Sequence, residues 1–392
     1  MLLNLITMSS QVEFPQLFDR CAGIDVHKEN VVVTVKINQK ADQTRTFGTF
    51  TEDLLALKDW LQAEQVTHLA MESTGVYWKP VFNILEDSFH LMLVNARHIK
   101  YVPGHKTDCK DSAWIAKLLM SGLLKGSFIP PQEIREMREL FRYRKKQVGY
   151  RVSERNRLQK ILEDANIKLG NVVSDVFGKT GWAIICAIID EQSDPTLLAG
   201  LAKGRLKSKI PQLILALNGK ITAHHRFMLQ TSKLALEGIQ QHIDRIDRRL
   251  EQYIQSHSTE VELLETIPGV SQETAKGIVS EIGFNMSVFP TAQHLASWAG
   301  VCPGNNESAG KTKSSRVTQG NKILKTVLVE AAWVASRMKN SWFKAKYYAL
   351  AARRGKKRAL LAIAHKILIA AYHILKEGLP YKAPDLKYLH SK

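Results

Sequence analysis

Four carboxylates stand where they could act together. Asp25 closes the apolar run Gly23-Ile24-Asp25-Val26-His27-Lys28, and Glu72 ends a second one, Ala70-Met71-Glu72-Ser73-Thr74-Gly75. Asp108 and Asp111, in Lys106-Thr107-Asp108-Cys109-Lys110-Asp111, fall at the start of a helical pattern, where residues three apart share a face. Two like charges about 4 Å apart repel by roughly 4 kcal/mol at an effective dielectric near 20. A gathered set must therefore take up protons or hold cations. All-oxygen ligands favour Mg²⁺, or Mn²⁺, over zinc, and two such ions can activate the attacking oxygen and stabilise the leaving one in phosphodiester cleavage. Each acid also has an ordinary reading: Asp108 as an N-cap, Asp111 as a first-turn acid, Asp25 as a hairpin residue and Glu72 as a loop charge.

The elements that would have to position them follow from patterning. Gly23 to Ile37 and Thr46 to Phe50 cluster or alternate β-branched and apolar residues, and Thr67 to Glu72 and His90 to Val94 are short apolar runs. Glu52 to Gln62, Tyr77 to Leu85 and Asp108 to Met120 carry helical spacing. The order β, β, β, α, β, α, β, α specifies a mixed sheet with helices on its faces, over residues 20–130. Beyond Pro130-Pro131, Arg135 to Lys160 holds ten basic residues against three acidic ones in a Pro-free stretch, which predicts a long basic helix. Ile239, Ile243, Ile246, Leu250 and Tyr253 recur at coiled-coil seam spacing, so a helical middle domain is expected over 131–260, paired within the chain or across subunits. A mainly helical third domain follows over 261–380.

The 392 residues carry 55 Lys and Arg against 37 Asp and Glu, a net charge of +18, which favours a polyanionic partner, nucleic acid first. Between Ser308 and Lys376 the sole acid is Glu330, and Arg337 to Arg358 interleaves nine basic residues with Trp342, Phe343, Tyr347 and Tyr348, a mixture suited to phosphate contacts and base stacking. The four scattered cysteines form no CxxC pair, which fits a reducing cytoplasm without a structural zinc. The apolar N-terminus lacks the basic start of a signal peptide, and Trp182 to Ile189 is too short, and Ala359 to Leu375 too interrupted by His365 and Lys366, for a membrane span.

The three acidic motifs resemble the DEDD motifs of the IS110 group of bacterial insertion-sequence transposases, which are similar to the pilin-gene inverting recombinases. The resemblance extends over nearly the whole chain. It implies an α/β, RNase H-like (RuvC-like) first domain, with Asp25, Glu72, Asp108 and Asp111 as Mg²⁺-binding acids. It also implies donor and target DNA as substrates, a structured bridge RNA as guide, and a bacterial, nucleoid-associated setting. Paired helices and the exchange of four strands point to a homodimer or homotetramer.

Leu264-Glu265-Thr266-Ile267-Pro268-Gly269-Val270-Ser271 joins two helical patterns through a Pro-Gly turn and looks like a helix-hairpin-helix, able to offer backbone N–H groups to a phosphate. Ser308 sits in a Gly- and Asn-rich loop after Pro303, where a serine is ordinarily only a loop residue. The proline, the serine, Gly320 and a helix ending in Glu330-Ala331-Ala332 resemble the family's transposase-domain motif, which implies that Ser308 is the nucleophile. The family's shorter Ser-Gly is Ser-Ala-Gly here, and Ser314 and Ser315 lie nearby. A phosphoserine ester would retain the energy of the broken diester, so rejoining would need no ATP.

The expected activity is thus Mg²⁺-assisted, serine-linked DNA strand exchange by an insertion-sequence recombinase. A junction-resolving nuclease using water, and a non-catalytic nucleic-acid scaffold, are the competing readings. A sugar-kinase-like phosphotransferase would place a glycine where Val26 and His27 stand. His27, Lys28 and Lys106 could touch phosphate or be solvated turn residues, and Trp114 and Trp182 read as core packing.

Overall fold

A computed structural model describes residues 17–38, 40–73, 75–95, 111–303, 306–308, 311–314, 317 and 319–384, with backbone alone for 306–308 and 311–314. Asp108, Lys106 and Ser315 lie outside the described residues. The chain forms two compact units, Met1–Ile129 and Pro130–Lys392.

In the first unit, β1 (Arg20–Val26), β2 (Val31–Ile37) and β3 (Gln43–Phe47) form an antiparallel meander, while β4 (His68–Glu72) and β5 (His90–Val94) continue parallel to β1. The sheet order is β3-β2-β1-β4-β5, which makes β1 the central strand. The run from Gly23 to Ile37 is broken by a turn at 27–30, closed by the His27 amide donating to the Asn30 carbonyl at 2.9 Å. The third strand lies three residues earlier than the expected Thr46 to Phe50, because Phe50 already caps helix α1 (Thr51–Ala63), its amide bonded to Asp53 at 3.2 Å.

Strand side chains alternate between faces, and here each face has its own cover. Ile24, Val26, Val33, Leu69 and Met71 join α1 and α2 (Trp78–Leu85) in one core. On the other face Cys21, Ala70 and Val94 meet Ile115 and Leu119 of α3 (Asp111–Met120).

The second unit is built on two long helices, α4 (Gln132–Asp164) and α8 (Ala223–Ile254), between which α5 (Lys179–Ile189), α6 (Pro195–Gly200) and α7 (Ile210–Leu217) pack as a small cap. Arg144 bonds Asp247, Arg151 bonds Gln240 at 2.7 Å, and Asp164 bonds His225 at 2.9 Å. Rising positions on one helix meet falling positions on the other, so the pair is an antiparallel hairpin within the chain. Of the expected seam, Ile243, Ile246 and Leu250 are buried and Ile239 is half-buried, and Leu229, Ser232 and Leu236 extend the buried stripe towards the start of α8. The expected last seam residue, Tyr253, is instead half-buried with its hydroxyl on Glu136, and Ile254 is buried in its place. A helix of 3.6 residues per turn drifts against a 3.5 repeat, which accounts for the one-residue slip.

The remainder is a bundle of α9 (Ser258–Glu265), α10 (Gln272–Ile282), α11 (Ala292–Ala299), α12 (Lys322–Ala335), α13 (Trp342–Arg354) and α14 (Lys356–Glu377). By length and composition α14 is the one helix among the described residues apolar enough to cross a membrane. Its stripe Ile363, Ala364, Ile367, Leu368 and Ala371 is fully buried in the protein, as in the core helix of a bundle. The ribbon β6 (Asn306–Ser308) and β7 (Lys311–Ser314) precedes α12.

Candidate active site

The sheet places two of the predicted acids side by side. Ile24 of β1 pairs with Met71 of β4, so Asp25 and Glu72, one residue further on, end neighbouring parallel strands. Strands lie about 4.8 Å apart, which brings the two carboxylates to one sheet edge. Counting in twos from Gly23 and Ala70 puts both on the face that α3 covers.

Gly23 is what lets α3 come so close. A Cβ there would sit 2.1 Å from the Ser112 carbonyl oxygen and 2.4 Å from the Ala116 nitrogen, so only glycine permits this crossing. The buried Ser112 hydroxyl bonds Thr34 at 2.8 Å, and Cys21 bonds the Ala116 carbonyl at 3.6 Å. Helix α3 therefore runs back along β1, with Asp111 in its first turn at the same sheet end as Asp25. Open α/β sheets commonly hold ligands at these carboxyl ends of their strands.

Asp25 is 8% exposed, and its pKa is raised. Burial is the main cause, and the neighbouring charges of Asp111 and Glu72 add to it, while His27 opposes. The charges of Glu72 and Asp111 thus both act on Asp25, so three of the four predicted acids lie towards one sheet end. His27 Nε2 lies 3.1 Å from Asp25 Oδ2. Sequence reasoning left His27 between phosphate contact and solvent. The signal was the Asp-x-His spacing itself: at the first position of the turn that follows β1, the imidazole reaches back to the carboxylate two residues earlier.

No three His, Cys, Asp or Glu side chains among the described residues stand close enough to share one ion. The donor chemistry nevertheless fits a hard divalent cation, because the carboxylates repel one another and burial holds Asp25 towards its protonated form, a penalty that bound positive charge would relieve.

In the second unit Ser308 ends strand β6 and pairs with Lys311, leaving two residues between them; it belongs to a two-stranded ribbon rather than to the loop that its Gly and Asn neighbours suggested. Ser314 ends β7, opposite Asn306. The Pro-Gly turn joins α9 to α10 with Gly269 at φ +91°, and a Cβ there would meet the Ala331 carbonyl at 2.6 Å. That side of the turn is packed on α12.

The two basic runs differ in what they leave available. On α4, Arg138 and Arg142 bind Glu281, Arg144 binds Asp247 and Glu273, and Lys145 binds Glu330 at 3.3 Å, so much of that charge serves internal bonding. In the second run Phe343, expected as a stacking residue, is buried in the core. Tyr348 is 59% exposed, and Trp333, outside the predicted run, is 53% exposed with the Arg337 guanidinium 3.5 Å over its ring. Trp182 packs against the core of the helical cap, as expected.

Residues 22–167 match a family profile described as a transposase of the DEDD IS110 type, and residues 261–348 match one described as the transposase IS116/IS110/IS902 family. The pilin gene-inverting protein of Moraxella bovis is 32% identical over 123 residues, 30% of this chain, and its counterpart in Moraxella lacunata matches equally. The match spans 38% of the length of each of those proteins. An uncharacterized 43.6 kDa protein of insertion element IS110 from Streptomyces coelicolor is 22% identical over 304 residues, 72% of this chain and 73% of that protein.

Proposed function

The chain belongs to the IS110 family of transposases, and we propose from this that it is a site-specific DNA recombinase that cuts and exchanges strands through a serine-linked intermediate. The observation that carries the reading is the gathering of Asp25, Glu72 and Asp111 at one sheet end, where burial and the other two acids raise the Asp25 pKa. We read the five-stranded sheet as RNase H-like, the α9–α10 turn as a helix-hairpin-helix, and 20–130, 131–260 and 261–380 as catalytic, helical-linker and transposase domains.

In this reading Asp25, Glu72 and Asp111, with Asp108, hold Mg²⁺ or Mn²⁺. The bound ion would neutralise the scissile phosphate and lower the cost of ionising a hydroxyl. Ser308 Oγ attacks phosphorus and gives up its proton, a phosphorus–oxygen bond of the strand breaks, and the strand leaves with a hydroxyl end. Serine keeps the phosphate as an ester. Attack by another strand's hydroxyl then restores a diester and frees the serine, so the number of phosphoester bonds is unchanged and no nucleotide cofactor is consumed. His27, bonded to Asp25, fixes the orientation of that carboxylate.

Donor and target DNA are the substrates, and a bridge RNA, which the +18 charge can accommodate, is the guide. A homodimer or homotetramer working in the bacterial cytoplasm completes the proposal. The test is a denaturing gel of protein incubated with the DNA ends of its own element and Mg²⁺. A covalent protein–DNA adduct is expected from the parent and none from Ser308→Ala. Cleavage without an adduct, indifferent to Ser308, would establish water as the nucleophile instead.

A further inference from the structure

Glu281, at the end of α10, is 0% exposed, which for a carboxylate demands partners on every side. Arg142 grips it with two parallel hydrogen bonds of 2.8 Å, and Arg138 lies 3.4 Å from Oε2 while donating to the Glu281 carbonyl at 2.6 Å. The third partner comes from elsewhere: Asn321 Nδ2 donates to Oε2 at 2.5 Å. Two guanidiniums already neutralise this carboxylate, and burial still drives Arg138 down to about 10. The asparagine is therefore not needed for charge balance.

Asn321 also does a second thing. Its Oδ1 accepts from the amides of Ile323 and Leu324 at 3.1 Å each, capping α12. One side chain thus joins the α12 N-terminus to a buried ionic cluster rooted in α4 and α10. It stands just after the β6–β7 ribbon that carries Ser308. The ribbon's base is closed by a bridge between Pro303 and Val317, and Gly320 lies so near the α11 end that a Cβ would sit 2.3 Å from the Gly300 nitrogen.

We infer that Asn321 is a positioning residue, whose hydrogen bond to the buried Glu281 anchors the ribbon bearing Ser308 to the α4–α10 framework. The inference rests on the serine-linked reading for its chemical consequence, but the anchoring itself can be measured separately.

Asn321→Ser keeps a good N-cap acceptor and loses the amide donor, whereas Asn321→Ala loses both functions. If the residue only capped α12, the Ser variant would behave as the parent and Ala alone would fail. Positioning predicts that Asn321→Ser stays folded and keeps its DNA retention, yet forms the Ser308 adduct about tenfold more slowly, as expected for one lost hydrogen bond to a charged group. Amide hydrogen exchange in 306–314 of Asn321→Ser is expected to speed up by about the same factor while α12 stays protected. An adduct rate within twofold of the parent, or unchanged ribbon exchange, overturns the inference. A parent that forms no adduct at all refutes the serine-linked reading instead, and the exchange measurement then still decides the anchoring.

Discussion

Replacing Asp25 by Asn is expected to stabilise the first unit while abolishing strand cleavage. Neighbouring strands run about 4.8 Å apart, and two like charges at about that spacing repel by roughly 3 kcal/mol at an effective dielectric of 20. Asp111 adds to this, and His27 subtracts. Glu72 and Asp111 are only half-buried, and solvent screening reduces the sum, leaving a gain on the order of 1 kcal/mol for the neutral amide. For a unit of this size that raises the melting temperature by about 3 to 5 °C.

The pH dependence has a definite sign. A carboxyl whose pKa is raised by folding holds its proton more tightly folded than unfolded. Its stabilising effect is complete below the unfolded value of about 3.9 and is lost as pH rises from there through the raised folded value. Asp25→Asn should therefore flatten that decline. Saturating Mg²⁺ should raise the parent's melting temperature at neutral pH, by the equivalent of about 2.7 kcal/mol at a hundred times the dissociation constant, and should leave the variant's nearly unmoved. Thermal unfolding of the full chain followed by circular dichroism, with and without Mg²⁺, and the adduct gel together form the assay. An Asp25→Asn protein that is less stable than the parent, or still forms the adduct, would refute the reasoning.

Gly23→Ala forces a methyl group into the α3 backbone and is expected to cost about 2 to 3 kcal/mol in the first unit, with loss of the Mg²⁺-induced stabilisation in the same melting experiment. Leu250→Ala, which empties a fully packed position between the two long helices, should cost about 2 to 4 kcal/mol by urea unfolding, whereas Tyr253→Phe should cost less than about 1.5 kcal/mol. Glu281→Ala leaves two guanidiniums unpaired near the protein interior and should lower stability by about 3 to 5 kcal/mol in the same titration. Burial pushes the Cys21 thiol up to about 12, so iodoacetamide at neutral pH should leave it unlabelled in the native protein and modify it once the first unit opens, as peptide mass mapping would show.

Much of the first unit was legible because its signals are local. Strands of β-branched residues, helical spacing and the strand-end acids all follow short periods, and the strands and helices follow one another along the chain in the expected order. What the period could not reveal was the end of β3, where the Phe50–Asp53 cap takes over, or the one-residue slip at Tyr253, where the phase of a long helix against its partner decides. Phe343 and the basic residues of α4 show the limit of composition. An aromatic among lysines reads as a nucleic-acid contact until a core or a buried glutamate claims the neighbourhood.

The sequence by itself determined the inventory: a basic chain, carboxylates at strand ends, a heptad stripe and a serine among small residues. These depend on side-chain type and spacing along one backbone. Only the tertiary structure decided that β1 and β4 lie side by side, that Gly23 lets α3 approach within backbone contact, and that Glu281 gathers partners from α4 and from the start of α12. Each of those facts joins segments tens of residues apart, and the free energy that joins them comes from burial and close packing, which no local pattern records.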